Sequence, residues 1–379
     1  MIKGLLTSIT IVLFIFLISP VSYADDVENS IYSSIENEMN NFKENLPDYV
    51  IDYFPNEFFN SDLSSYDFDS VLQEKSFWSY ILDYLFADIG SITKAFSSIL
   101  ALLIISSVFS LISNSLKNDS IKKVFSICST LCIALTVFNL CIGITSFVSS
   151  YLKAMCRVVN AFLPLMSILS IMNGNIASAA VTATSMSLFI AIIESFLVVS
   201  LLPLVKICLS FSCIKPLGGA NFQGVSKTIK TTFTSVIIFT MSIFMFIFSL
   251  KNIISQGTDT LSIKTARFAI SSFVPIVGAS INDALRTVSS SLSIIKNTCG
   301  VITIVSIALI VIPVIINLLL NKLSFGLLNS ITKAIGLTSE GEIFEEANSI
   351  CTLLLTLVAC SFVLFLFGLT IFVMSVGAS

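Results

Sequence analysis

Six uncharged stretches, at 95–116, 124–152, 158–193, 231–250, 297–321 and 347–379, dominate the chain beyond its first 94 residues. About 20 mostly apolar residues suffice for a helix to cross the hydrocarbon of a bilayer, and each stretch is at least that long. In that solvent every backbone amide must be satisfied within the chain, so helices are the expected structure. A further apolar stretch at 195–213 is interrupted only by Lys206. Spans are expected near 95–113, 124–148, 194–213, 231–250, 299–320 and 350–375. The predicted fold is an all-α polytopic membrane protein with about six to eight transmembrane helices, the range set by two irregular regions between those spans.

The absence of histidine bounds the chemistry. It removes imidazole acid–base catalysis, Ser/His/Asp and Cys/His nucleophile systems, and zinc sites that need imidazole. Only 11% of residues are charged, under half the usual soluble share, and the charges are segregated. Residues 25–92 carry fifteen acidic and two basic residues (Lys43 and Lys75), a net of −13. Residues 93–379 carry eight acidic and seventeen basic ones, a net of +9. An acidic segment is thus joined to a basic membrane body spanning 93–379.

The first 24 residues read as an export signal. Lys3 precedes an apolar run from Leu5 to Ile18, Pro20 breaks it, and Ser22-Tyr23-Ala24 offers a small-residue exit before Asp25-Asp26. The alternative is an uncleaved first transmembrane helix; both readings put residue 25 outside the cytoplasm. In 25–92, Ile31, Ile35, Met39, Phe42 and Leu46 line one face of a helix that Pro47 ends. Phe77, Trp78, Tyr80, Tyr84 and Phe86 suit a helix at the headgroup layer. The segment is too short and too charged to bury much core alone. A solvated acidic face is expected, with docking onto the membrane body as the alternative.

Two regions between the spans resemble one another. The first contains Phe162-Leu163-Pro164, a polar turn at Asn173-Gly174-Asn175, and a return rich in Ala, Ser and Thr. The second contains Phe273-Val274-Pro275, then Asn282-Asp283 and Arg286, then a Ser-rich stretch to Lys296. Their short arms and polar turns predict two re-entrant hairpins, because polar backbone at membrane depth must be buried in protein or face a watery cavity. Phe125 and Phe233, Pro164 and Pro275, and Pro203 and Pro313 pair at separations of 108, 111 and 110 residues. A tandem repeat of roughly 110 residues is expected, covering 122–213 and 230–322, as transport folds often show. The lysine-rich loops at 114–123 and 214–230 then fall on the cytoplasmic side.

Candidate functional residues are few. Glu194 and Lys206 interrupt apolar sequence, and a charge there is costly enough to mark function by default. Twelve residues place them about 18 Å apart on one helix, so they do not pair; each also suits a helix end at the interface. Asp283 and Arg286 at i, i+3 suit an ion pair or a polar contact in the second hairpin. Pro164, Pro275, Asn173 and Asn175 complete the set as the hairpin residues. The nine cysteines lie in or beside apolar segments and read as small buried hydrophobes. No catalytic, cofactor-binding or metal-binding residues are expected, and no nucleotide or nucleic-acid motif occurs. Glu340, Glu342, Glu345 and Glu346 suit the first turns of a helix, where the dipole favours carboxylates.

Several phrases carry a family resemblance: Ala161-Phe-Leu-Pro-Leu-Met, Leu201-Leu-Pro-Leu-Val, Asp259-Thr-Leu-Ser-Ile-Lys-Thr-Ala, Ser271-Ser-Phe-Val-Pro-Ile-Val-Gly-Ala and Lys296-Asn-Thr-Cys-Gly. With the signal-like start and acidic segment, the chain resembles the stage III sporulation protein AE family over nearly its whole length. The resemblance implies a non-enzymatic subunit in the mother-cell membrane facing the forespore. Its implied partners are the other stage III sporulation proteins of its operon and a forespore-side protein, in a channel-like, secretion-type complex; a homo-oligomer is compatible with this. A conducting or export-gate role is one expectation. The alternative is a stand-alone secondary transporter of a small solute, with Glu194 or Asp283 coupling to ions.

Overall fold

The computed structural model describes residues 21–51, 76–115, 119–172, 175–194, 199–214, 223–273 and 278–374. These form helices α1 (Val21–Asn45), α2 (Asp48–Ile51), α3 (Ser76–Ser115), α4 (Asp119–Met172), α5 (Ile176–Ile192), α6 (Val199–Ile214), α7 (Gln223–Phe273), α8 (Gly278–Ile335) and α9 (Thr338–Met374). No strand occurs among the described residues, and the chain is an all-α polytopic membrane protein. Five helical stretches are long and apolar enough to cross a membrane: Ile89–Ile112, Val124–Met172, Gly224–Asp259, Ile302–Ile335 and Thr338–Ile371. Two shorter apolar helices, Ile176–Ile192 and Val199–Phe211, lie between the second and third of these.

Helices α4, α7 and α8 contain 54, 51 and 58 residues. At 1.5 Å per residue each is about 75–90 Å long, more than twice the thickness of a bilayer core. Apolar sequence alone therefore marks only part of each helix as a crossing. The core is built where these helices pack on α9, through side chains such as Phe325, Phe344, Leu354 and Phe365. A tight turn joins α8 to α9. Gly336 adopts φ 87°, Gly336 N–H donates to the Lys333 carbonyl at 3.3 Å and Leu337 N–H to the Thr332 carbonyl at 2.9 Å. That pattern closes a helix C-terminus with a left-handed residue, a conformation glycine adopts without a Cβ penalty.

Two expectations about the irregular regions are corrected. Pro164 does not open a separate half-helix, since α4 runs through it to Met172. Its ring lies on the exposed side of the helix, where the missing N–H and the crowded preceding carbonyl disturb no packed neighbour. In the second region the polar sequence Asn282-Asp283 to Arg286 is not a turn, because α8 begins at Gly278 and contains it. Residues 274–277, which precede that helix, lie outside the described residues. Residues 1–20 and Pro275 lie outside the described residues, as do the side chains of Asp283 and Arg286.

The acidic segment does not present all of α1 to solvent. Met39, Phe42 and Leu46 are buried, Ile35 packs against them, and Val50 of α2 is fully enclosed. Phe42 meets Phe162 of α4 with ring centroids 5.8 Å apart. The apolar face legible in the sequence is docked on α4, while Glu36, Glu38 and Glu44 stay at the surface. Pro47 follows α1, and Leu46 N–H closes back onto the Lys43 carbonyl at 3.1 Å. Replacing Phe42 by Ala should cost about 3–5 kcal/mol of docking, the usual range for a buried aromatic. Limited proteolysis of the solubilised protein should then cut 25–51 faster while the long helices stay protected.

Candidate functional site

Helices α5 and α6 contain 17 and 16 residues, about 25 Å each, so neither crosses a bilayer core comfortably alone. Their neighbours show how they combine. The start of α5 lies beside Asp259 of α7, with Ala177 N–H donating to one carboxylate oxygen at 2.9 Å and Ser178 N–H to the other at 2.8 Å. Halfway down α7, Phe244 stacks near Phe189 of α5 at 4.9 Å between centroids. Near its start, Ser226 lies within hydrogen-bonding reach of Cys208 of α6. From Ser226 to Asp259 is 33 residues of α7, about 50 Å, the same length as α5 and α6 end to end. Both short helices therefore pack along α7 and run antiparallel to it.

Glu194 lies in the turn that follows α5. Beyond α5 the last turn widens into π-helical geometry at Ile193–Glu194, with Ile193 buried and the Glu194 side chain exposed. Such widened turns free backbone groups from the regular ladder and recur at functional sites. Phe365 of α9 stands 5.2 Å from Phe189 on one side of α5. A Cβ on Gly368 of α9 would collide with the Met186 thioether, so the two helices pack at the distance glycine permits.

Asp259 solves the problem set by the buried start of α5 at Asn175. A helix start leaves backbone N–H groups without partners, and a buried one must find an acceptor. Asn175 precedes α5 and is 8% exposed, but its side chain makes no capping hydrogen bond. The carboxylate of Asp259, 4% exposed, supplies both acceptors from another helix, and its charge faces the positive end of the α5 dipole. Ser255 adds a hydroxyl contact to Ser178 at 3.4 Å.

The opposite end of the bundle holds two further buried carboxylates, both from α9. Glu346 pairs with Lys230 of α7 at 2.6 Å and accepts a hydrogen bond from the Ser226 hydroxyl at 2.5 Å. Glu340 accepts from Thr130 of α4 at 2.9 Å and from Ser106 of α3 at 3.4 Å, and Ser129 lies 2.5 Å from Ser106. Glu345 is exposed and forms only a surface pair with Lys333 at 3.3 Å. The run of acidic residues at the start of α9 is thus divided by helical spacing: Glu340 and Glu346 face the bundle, Glu345 faces out.

The sequence-derived candidates are scattered by comparison. Glu194 is exposed at the break, Lys206 is exposed on α6, and no ion pair joins them. Asn175 sits at the buried start of α5, whereas Asn173 lies outside the described residues. Asp259, Lys230, Glu340 and Glu346 were not singled out as a site. Their partners lie 81 to 234 residues away, beyond any local pattern. The available signal was the cost of carboxylates flanking apolar spans.

Two substitutions test this arrangement. Asp259→Ala strands two buried N–H groups and should cost about 2–5 kcal/mol, whereas Asp259→Asn keeps one acceptor and should cost less. Lys230→Met leaves Glu346 buried without its cation and should cost about 3–5 kcal/mol; Lys230→Met with Glu346→Met should recover most of it. Thermal unfolding in detergent measures all four variants.

Comparison with known proteins follows the same lines. The family described as Stage III sporulation protein AE matches residues 60–376. A protein of Bacillus subtilis (strain 168), named Stage III sporulation protein AE, is 22% identical over 249 residues, 65% of this chain. The match spans 60% of that relative's length. No solved structure matches the chain. With its all-helical, multi-span body falling almost wholly within the matched region, the chain belongs to the stage III sporulation protein AE family of sporulation proteins.

Proposed function

We propose that this protein is a non-enzymatic membrane subunit of a sporulation transport assembly and supplies part of its conducting or gating path. The observation that carries the reading is the π-helical turn at Ile193–Glu194, which closes the short apolar helix α5 and exposes a carboxylate within otherwise apolar sequence. Interrupted helices near the midplane leave backbone groups to be satisfied by polar partners or water, and they recur in transport folds. The expected duplication adds support. Helices α4 and α7 have similar lengths, and each is followed in sequence by an apolar helix carrying Pro203 or Pro313.

Sidedness follows from charge. The end of the bundle that holds Glu346 also holds the starts of α4 and α7, whose sequences carry Lys122, Lys123, Lys227 and Lys230, and the positive-inside rule favours the cytoplasm for it. The Asp259 end and the acidic segment 25–92 then face the intermembrane space between mother cell and forespore. There the polar face of α1 is the surface available to other stage III sporulation proteins and a forespore-side partner. Lys153 and Arg157 also fall on that side, on the part of α4 covered by α1.

Glu194 at the break is also what a self-sufficient secondary transporter of a small solute would use for ion coupling, and reconstitution separates the two readings. A complex subunit should move no solute alone in liposomes, and Glu194→Gln should leave sporulation intact. Autonomous uptake abolished by Glu194→Gln would establish the transporter instead. The conduit itself is tested by single cysteines in a cysteine-free background. Positions 194–198 should react with a membrane-impermeant thiol reagent, while Ile307 and Leu309, both fully buried, should not. Protection of all five positions would leave a solid bundle and remove the reading.

A further inference from the structure

We propose that Glu340 and its surrounding hydroxyls form a binding site for a monovalent alkali cation, with Na⁺ as the ligand. The inference stands apart from the conduit reading, because it rests on a different end of the bundle. Four oxygens from three helices form one hydrogen-bonded chain: Thr130 Oγ1 on α4 and Ser106 Oγ on α3 donate to a Glu340 carboxylate oxygen on α9, and Ser129 Oγ on α4 donates to Ser106. Glu340 is 4% exposed, Ser106 3% and Thr130 2%.

Charge balance makes the site unusual. Its neighbour Glu346 has Lys230, but among the described residues no lysine or arginine pairs with Glu340. Lys123 lies seven residues before Thr130 on α4, about 10 Å along the helix. The first turn of α9 offers Glu340 roughly half a positive charge from the helix dipole, which offsets only part of the carboxylate. An ionised group in a low-dielectric interior is costly unless a charge answers it.

The donor set selects the ligand. All four atoms are hard oxygens, suited to alkali and alkaline-earth cations rather than to soft or borderline metals. One carboxylate among neutral hydroxyls balances a single positive charge; a divalent ion would leave the buried site with excess charge. The hydroxyls turn their lone pairs inward at no backbone cost, since each is carried on a regular helix. Bound Na⁺ would tie α3 and α4 to the start of α9.

Thermal unfolding of the full chain in detergent tests this directly, comparing NaCl with choline chloride at equal ionic strength. Na⁺ should raise Tm in a saturable manner. Glu340→Gln should abolish the Na⁺ response, Thr130→Val should weaken apparent Na⁺ affinity roughly tenfold through loss of one ligand, and Glu346→Gln should retain it. Binding of ²²Na⁺ to membranes holding the same variants reads the site without relying on stability. A Tm equal in Na⁺ and choline together with no ²²Na⁺ binding would overturn the proposal. So would a response that follows pH and ignores Na⁺, which would make Glu340 a buried acid instead.

Discussion

A helix that begins inside a packed bundle leaves its first amides facing other helices rather than water, and the Asp259 carboxylate answers that demand for α5. This one contact has consequences for most of the architecture. It allows α5 to begin inside the bundle at Asn175, and it fixes that start against the last third of α7. It also sets the register in which Phe189 meets Phe244 and Phe365. Without an acceptor from a neighbouring helix, a start at that depth would leave two N–H groups desolvated, and a continuous helix or an exposed loop would be preferred.

The start of α7 is held differently. Lys230 and Ser226 of α7 meet Glu346 of α9 while Cys208 of α6 lies against Ser226, so α6, α7 and α9 converge on one polar cluster. A buried ion pair contributes little net stability compared with apolar packing, but breaking it is costly. Its effect is on alignment: α9 cannot slide past α7 by a turn without separating the charges. Helices α5 and α6 are therefore pinned against α7 by carboxylates at two levels, with aromatic packing between them.

Much of the fold was legible because hydropathy is a one-dimensional signal. Uncharged runs located α3, α4, α7, α8 and α9, and the stripe from Ile35 to Leu46 located α1 with Pro47 after it. What failed was the reading of punctuation. Pro164 reads as part of a short half-helix, yet α4 carries it within 54 continuous residues, with its ring on an exposed face. Asn282 and Asp283 read as a turn, yet α8 continues through them. Docking of α1 was underrated because its acidic residues dominate the composition, while Met39, Phe42 and Leu46 decide the packing. The carboxylate contacts were invisible for a different reason. Asp259, Glu340 and Glu346 gain meaning only when helices distant in sequence come together, and nothing local separates Glu346 from the exposed Glu345 beside it.

The polar groups also explain why a chain so apolar adopts one arrangement. Lipid tails are as hydrophobic as leucine, so apolar contact alone discriminates poorly among helix pairings within a bilayer. Close packing at Gly368 and hydrogen bonds to buried carboxylates do discriminate, because every alternative register leaves a clash or an unpaired charge. Residues that specify the bundle are thus few, polar and small, while the many leucines and isoleucines supply area without choosing partners. That division leaves the large exposed apolar faces of α3 and α7 to meet lipid. Chemical variation is confined to the two polar ends and to the gap between α5 and α6.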